Sequence, residues 1–309
     1  MNSRTKALLA YAYICLAWGT TYYGIRVAVM HYPPFIMAGI RQVVSGIILL
    51  MVALARSREM NLSKQNLLRN AFTGFLMITI GNGVVSWAEK VVPSGVAALV
   101  CSMMPISVVI LNLLFNKTER PNLPIILGMI LGFGGVALIF RNDVASLGNF
   151  AYLFGVCSIL LATFGWAGGS ILSKKWSDPV NPIADAGFQV GFGGAFLMLL
   201  SPITDNYATA DWSSKEALFA LIYLIIFGSV IAFTAYRYAL KELPVGFVSS
   251  YAYINPLIAV VIGFFADEPI TVWTLMAIIS IISGVVIVRH GYGIQKNKTL
   301  LLESRETEV

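Results

Sequence analysis

The sequence predicts an all-α integral membrane protein of ten transmembrane helices, arranged as two inverted five-helix repeats. Three observations predict it. Hydrophobic residues make up 58% of the 309-residue chain and charged residues 12%, about half the charged share of a soluble globular domain. Ten apolar runs each approach the roughly 20 residues that cross a bilayer. Residues of the first half also recur in the second at offsets of 148 to 151.

Composition excludes several classes. A soluble enzyme could not cover its surface with so few charges. The 27 glycines and 12 prolines lie within apolar stretches rather than in linkers, which argues against a disordered protein. Cys15, Cys101 and Cys157 sit in apolar runs without a CxxC. They read as reduced, packed thiols, not a disulfide scaffold or a zinc site.

The runs fall at about 7–29, 34–55, 67–88, 93–115, 122–140, 149–173, 181–203, 216–239, 244–266 and 270–289. The first follows Arg4 and Lys6. It is too long for a signal peptide and lacks a small-residue cleavage site, so it reads as a span. With the N-terminus cytoplasmic, 16 of the 21 Lys and Arg fall inside and four outside, while Arg41 lies within a span. This bias places both termini in the cytoplasm of a multi-pass inner-membrane protein. It also accounts for the net charge of +6 without a nucleic acid. The boundaries are 1–144 for the first repeat, 145–290 for the second, and 291–309 for a polar tail expected to be disordered and cytoplasmic.

The repeat rests on ten matched pairs. Trp18 matches Trp166, Pro34 matches Pro182, Ala38 matches Ala186 and Gly39 matches Gly187, all offset by 148. Lys90 matches Lys241, Pro93 matches Pro244, Gly95 matches Gly246 and Pro105 matches Pro256, offset by 151. Glu119 with Glu268 and Gly135 with Gly284 are offset by 149. Five spans per half is an odd number, so the second half enters from the opposite side. Inverted repeats of this kind characterise secondary transporters.

Matched helix interruptions point to a transport site. Pro105 and Pro256 lie equally deep in the fourth and ninth spans. Each frees a backbone carbonyl one turn earlier, near Cys101 and Ala252, which must face protein, water or solute. They are the candidate hinges. Around them cluster Trp18, Tyr22, Asn82, Met104, Trp166, Tyr251 and Asn255, the candidate substrate-binding residues. Such aromatic, Met and amide side chains suit an amphipathic or aromatic solute. A deep Trp also serves as plain helix packing, and a proline kink can be packed without touching solute.

Intramembrane charge is scarce and each case counts. Arg41 lies about 12 Å into the second span by helix rise. It suits structural pairing, an outer gate or a substrate carboxylate, with Glu89 as partner or as a proton-coupling acid. Asp185 reads as a helix-start charge, Arg237 as an interface anchor, and Glu119 and Glu268 as helix-start features. Gly128, Gly132 and Gly135 form one small-residue stripe, and Ala277, Ser280 and Gly284 another. Such stripes pack inside a bundle or against a second protomer, so a homodimer stays open. The chain has no P-loop, HExxH, GxSxG or GxGxxG, and its two histidines, His31 and His290, lie near span ends. No enzyme, metal site or cofactor is expected.

These segments resemble the drug/metabolite transporter superfamily, in its ten-span EamA-type exporter branch. The likeness covers about residues 7–289 and rests on AWGTTY at Ala17–Tyr22, PPFIMAGIR at Pro33–Arg41, GNG at Gly81–Gly83 and AEKVVPSGVAAL at Ala88–Leu99. It continues through FGSVIAFTAY at Phe227–Tyr236 and PVGFVSSYAYINPLIAVVIG at Pro244–Gly263. The resemblance implies a central cavity between the halves and export of small metabolites, amino acids or drugs by alternating access, with or without proton exchange. Branches that carry phosphorylated sugars need several cavity cations, and only Arg41 is available here. The expected partners are thus a small-molecule solute, the lipid bilayer and protons. Rival readings are a proton-coupled importer of a small sugar or amine, and a non-transporting membrane subunit.

Overall fold

The computed structural model describes residues 2–56, 60–115, 121–139, 149–176, 181–265 and 272–306. Glu119 and Glu268 lie outside them. Among the described residues the regular structure is helical throughout.

Helix α1 (Ser3–His31) starts at Asn2, whose side chain accepts the Thr5 N–H. It stops at Tyr32, held extended at φ −107° and ψ 147°, because Pro33 disfavours helical backbone in the residue before it. Helix α2 (Pro34–Arg56) then opens on a proline, tolerated where no N–H is needed. The third span is composite: α3 (Lys64–Gly74), a π-helical segment (Phe75–Gly83) and α4 (Val84–Ala88). The fourth is broken, with α5 (Ser94–Cys101) and α6 (Met104–Phe115) either side of a tight turn; α7 (Leu123–Ile139) follows.

Comparable elements come next in the same order. Helix α8 (Phe150–Lys175) is capped by Asn149. Helix α9 (Pro182–Thr204) is capped by Asn181, with proline in its first turn. Helix α10 (Lys215–Tyr223), a second π-helical segment (Leu224–Ile231) and α11 (Ala232–Glu242) are continuous. Helices α12 (Val245–Ser249) and α13 (Tyr251–Phe265) flank Ser250, and α14 (Val272–Glu306) ends the described chain. Helix α14 therefore runs through 291–306, where the sequence reading expected disorder. Extending an existing helix carries no nucleation cost, and this stretch is rich in helix formers such as Leu, Glu, Lys and Gln.

Among the described residues, seven helical stretches are long and apolar enough to cross a membrane: Pro34–Arg56, Lys64–Ala88, Val96–Phe115, Phe150–Lys175, Pro182–Thr204, Lys215–Glu242 and Leu275–Gln295. They coincide with seven of the ten expected runs. The other three correspond to α1, to α13 and to a shorter apolar helix, Leu123–Leu138.

The fold is apolar outside and polar inside, as a lipid-facing surface requires. Phe115, Phe150 and Ile203 are more than four-fifths exposed, whereas Arg41, Gln42, Asn70, Glu89, Asp185, Gln189, Arg237 and Asn255 are buried. Cys15 is buried, but Cys157 is exposed on the outer face, contrary to the expected packing of all three thiols.

Several helix pairs approach closely enough to need glycine, among them α2 with α9 and α7 with α14. Helix α2 lies against α9, where a Cβ on Gly46 would meet Gly191 Cα at 2.7 Å. Helix α7 lies against α14, where a Cβ on Gly284 would meet Gly128 O and Gly132 N at 2.6 Å. Ser280 Oγ donates to Leu131 O across the second seam at 2.8 Å. The two predicted small-residue stripes thus pack on each other within one chain, so neither is free to seat a second protomer.

Candidate solute cavity

Irregular backbone creates the site. The two π-helical segments start 149 residues apart, at Phe75 and Leu224. A π-segment widens the helix and displaces its carbonyls from the regular ladder, a feature common at functional sites. The Gly228 carbonyl takes two side-chain donors instead, Trp18 Nε1 at 3.0 Å and Arg41 Nη2 at 3.4 Å. The helix breaks are similarly paired. Ser102 N and Met103 N bond back to Leu99 O and Val100 O, and Ser250 N and Tyr253 N to Phe247 O and Ser250 O. The first break falls directly before the buried Pro105 at the start of α6, whereas the buried Pro256 lies inside α13, beyond the break at Ser250.

These irregular segments surround one cavity of about 80 Å³, several times the roughly 10–15 Å³ that a single water needs. All seven predicted binding residues line it: Trp18, Tyr22, Asn82, Met104, Trp166, Tyr251 and Asn255. Arg41 lines it as well. Pro105 and Pro256 do not, but Cys101 and Ala252, whose carbonyls they free, do.

Aromatic rings form the floor. Trp18 packs on Tyr251 at 4.7 Å, Tyr236 at 4.9 Å and Trp166 at 5.5 Å between ring centroids. Tyr236 is fixed by Ser170, hydroxyl to hydroxyl at 2.7 Å. Asn255 is oriented by its backbone surroundings, its amide nitrogen donating to Tyr251 O at 3.1 Å and Cys15 O at 3.2 Å. The Gln42 amide donates to Asn82 Oδ1 at 3.3 Å.

The charged groups depart from expectation. Arg41 donates from Nε to Ser229 Oγ at 2.9 Å, and its Nη1 is buried without a partner. It forms no ion pair with Glu89. The Glu89 carboxylate is wholly buried with neither oxygen hydrogen-bonded, while Arg26 donates to the Glu89 backbone carbonyl. The side chain leaves α4 at its last turn, off the cavity wall. Asp185 lies in the first turn of α9, as expected, but it pairs there at 3.2 Å with Arg237, which is buried and is not the interface anchor expected. Asn66 and Asn70 donate to Asp185 Oδ1, and Arg237 also donates to Ser173. Helix geometry explains the error: each residue lies near a helix end in sequence, but its side chain points at the interhelical seam.

Sequence reasoning missed Gln42, Thr163, Ser229 and Phe233 on the cavity wall. A signal existed for one. Gly81–Asn82 and Gly228–Ser229 are Gly-polar pairs 147 residues apart, and both lie in π-helical segments.

Comparison with known proteins agrees with this architecture. The chain is similar to the inner membrane transporter YedA of Escherichia coli, 35% identical over 250 residues that cover 80% of this chain and 78% of that one. It is similar to the transporter YvbV of Bacillus subtilis, 26% identical over 95% of this chain and 94% of that one. A solved crystal structure superposes with a TM-score of 0.75 at 19% identity, over 92% of this chain and 96% of that one, which shows a shared fold. The profile of the EamA-like transporter family matches twice, at residues 5–141 and 153–289. The chain belongs to the EamA-like transporter family and is a membrane transporter.

Proposed function

We propose that the protein is a secondary exporter that moves small metabolites, amino acids or drugs out across the inner membrane by alternating access, in exchange for protons. The carrying observation is the cavity lined by paired irregular segments, one π-helix and one broken helix from each half. Two family matches of similar length, with five runs each, support an inverted repeat of ten spans with both termini cytoplasmic. The name of the YedA relative supports the inner membrane.

In this reading Trp18, Tyr22, Asn82, Met104, Trp166, Tyr251 and Asn255 bind the solute. The breaks before Pro105 and Pro256 act as hinges, because a helix that has already lost ladder hydrogen bonds bends there at least cost. Arg41 and Glu89 serve the outer gate or coupling. Inversion supplies the two states: if the halves exchange conformations, inward-open and outward-open forms have similar energy.

The test is flux through proteoliposomes of known orientation, using amino acids, organic acids, cationic dyes and polyamines, with and without a pH gradient. Efflux that disappears in Trp18→Ala and Asn255→Ala supports the reading. Strictly inward flux against a gradient overturns the direction. A folded preparation that moves no solute and retains a partner protein overturns transport by this chain alone.

A further inference from the structure

The cavity wall offers more hydrogen-bond donors than the protein satisfies. Arg41 is only 3% exposed and lines the cavity. Its Nε and Nη2 are engaged by Ser229 and Gly228, but Nη1 has no partner. Trp166 Nε1, on the same wall, is also buried and unpartnered. The Tyr236 hydroxyl that it approaches stays open to it, because Ser170 gives its own proton to Trp166 O, so Tyr236 donates to Ser170 and keeps lone pairs that accept. Buried polar groups are nearly always hydrogen-bonded. Arg41 Nη1, a buried donor with no protein acceptor, therefore describes the group that belongs there.

The local charge has the same sense. Among the described residues no Asp or Glu lines the cavity. The nearest acid, Glu89, interacts electrostatically with both Arg26 and Arg41. Two guanidinium groups against one carboxyl leave net positive charge whichever way Glu89 is protonated. Asp185 and Arg237 neutralise each other and do not line the cavity. A positive field inside low-dielectric walls attracts an anion.

The number of donors limits which anion. One free guanidinium N–H in an otherwise uncharged wall matches a single carboxylate. A dianionic phosphate would need more than the one cation on the wall. The rest of the wall near these donors is aromatic, from Trp18, Tyr22, Phe233 and Tyr251, and fits an apolar or aromatic body.

We propose that the solute is a small monocarboxylate anion with an apolar or aromatic body, its carboxylate taken by Arg41 Nη1, and no ammonium group required. This rests on the transporter reading of the same cavity.

The test measures binding to the purified full-length chain in detergent, by calorimetry and thermal shift. The probes are 3-phenylpropionate, its primary amide and 3-phenylpropylamine. The acid is expected to bind at least tenfold more tightly than either analogue. Arg41→Gln should reduce the acid to the level of the amide. Arg41→Lys, which keeps the charge, should retain a preference for the acid over the amide. The proposal is overturned if the amide or amine binds as tightly as the acid, if the acid does not bind at millimolar concentration, or if Arg41→Gln keeps full affinity for it. Should Arg41→Gln not fold, Arg41→Lys and the wild-type acid-to-amide ratio decide. Flux separates this idea from the reading beneath it. Selective acid binding without flux removes transport and leaves the carboxylate site. Flux of neutral or cationic solutes untouched by Arg41→Gln leaves transport and removes the carboxylate site.

Discussion

Asp185 Oδ2 and Arg237 Nη2 lie 3.2 Å apart with their side chains 3% and 5% exposed, an ion pair enclosed between α9 and α11. Its satellites, Asn66 and Asn70 from α3 and Ser173 from α8, fill the remaining bonds. Four helices are thereby tied at one level of the bundle. Losing one charge would leave the other buried, which typically costs about 3–5 kcal/mol.

Arg237→Met and Asp185→Leu should each lower the melting temperature in detergent, whereas the double variant should recover part of the loss. The reason is that two buried charges removed together leave no orphan. Thermal melts of the three variants check this, and a double variant no better than the worse single one would contradict it.

Close backbone contact gives a second prediction. Gly46→Ala and Gly284→Ala should destabilise by about 1–3 kcal/mol, the usual cost of overpacking, since their new methyl groups would meet backbone atoms at 2.6–2.7 Å. Gly134→Ala is the control. Nothing lies within 4 Å of its Cβ position, so its melting temperature should stay level or rise.

Trp18→Phe isolates one hydrogen bond. It keeps an aromatic ring against Tyr251 and Trp166 but removes the bond to Gly228 O. A net loss of about 1 kcal/mol of folding stability should follow, read from melts in detergent. Trp18→Ala should lose far more. Equal effects for the two would show that the ring contributes nothing.

Glu89→Gln tests proton coupling. The carboxylate is buried without hydrogen bonds, so its neutral isostere should fold at least as well as the parent. If Glu89 carries the exchanged proton, flux in this variant should stop responding to a pH gradient while exchange of solute for solute continues. Retained gradient dependence would assign coupling elsewhere.

Much of this protein was legible in its sequence. Membrane character, the repeat and the lining of the cavity were all readable. These features are one-dimensional: hydrophobic run length follows bilayer thickness, and a family domain present twice puts matched residues at a nearly constant offset. Trp18 and Trp166, or the prolines at 105 and 256, could be recognised as a pair before any coordinates. Deep polar residues near such interruptions have few places to go except an internal cavity.

Partnership between charges was not legible. Arg41 and Glu89 looked like a pair because both lie toward the same ends of neighbouring runs, yet a difference in helix rotation keeps their side chains apart. Asp185 and Arg237 are 52 residues apart and looked unrelated, yet packing brings them within 3.2 Å. The π-helical segments were hidden for a similar reason, because a one-residue shift in hydrogen-bond register leaves no mark on hydrophobic periodicity. Sequence determined which residues must lie inside the membrane and which half each belongs to. Only the tertiary structure decided the rotation of each helix about its axis, and so which donors were left facing the cavity.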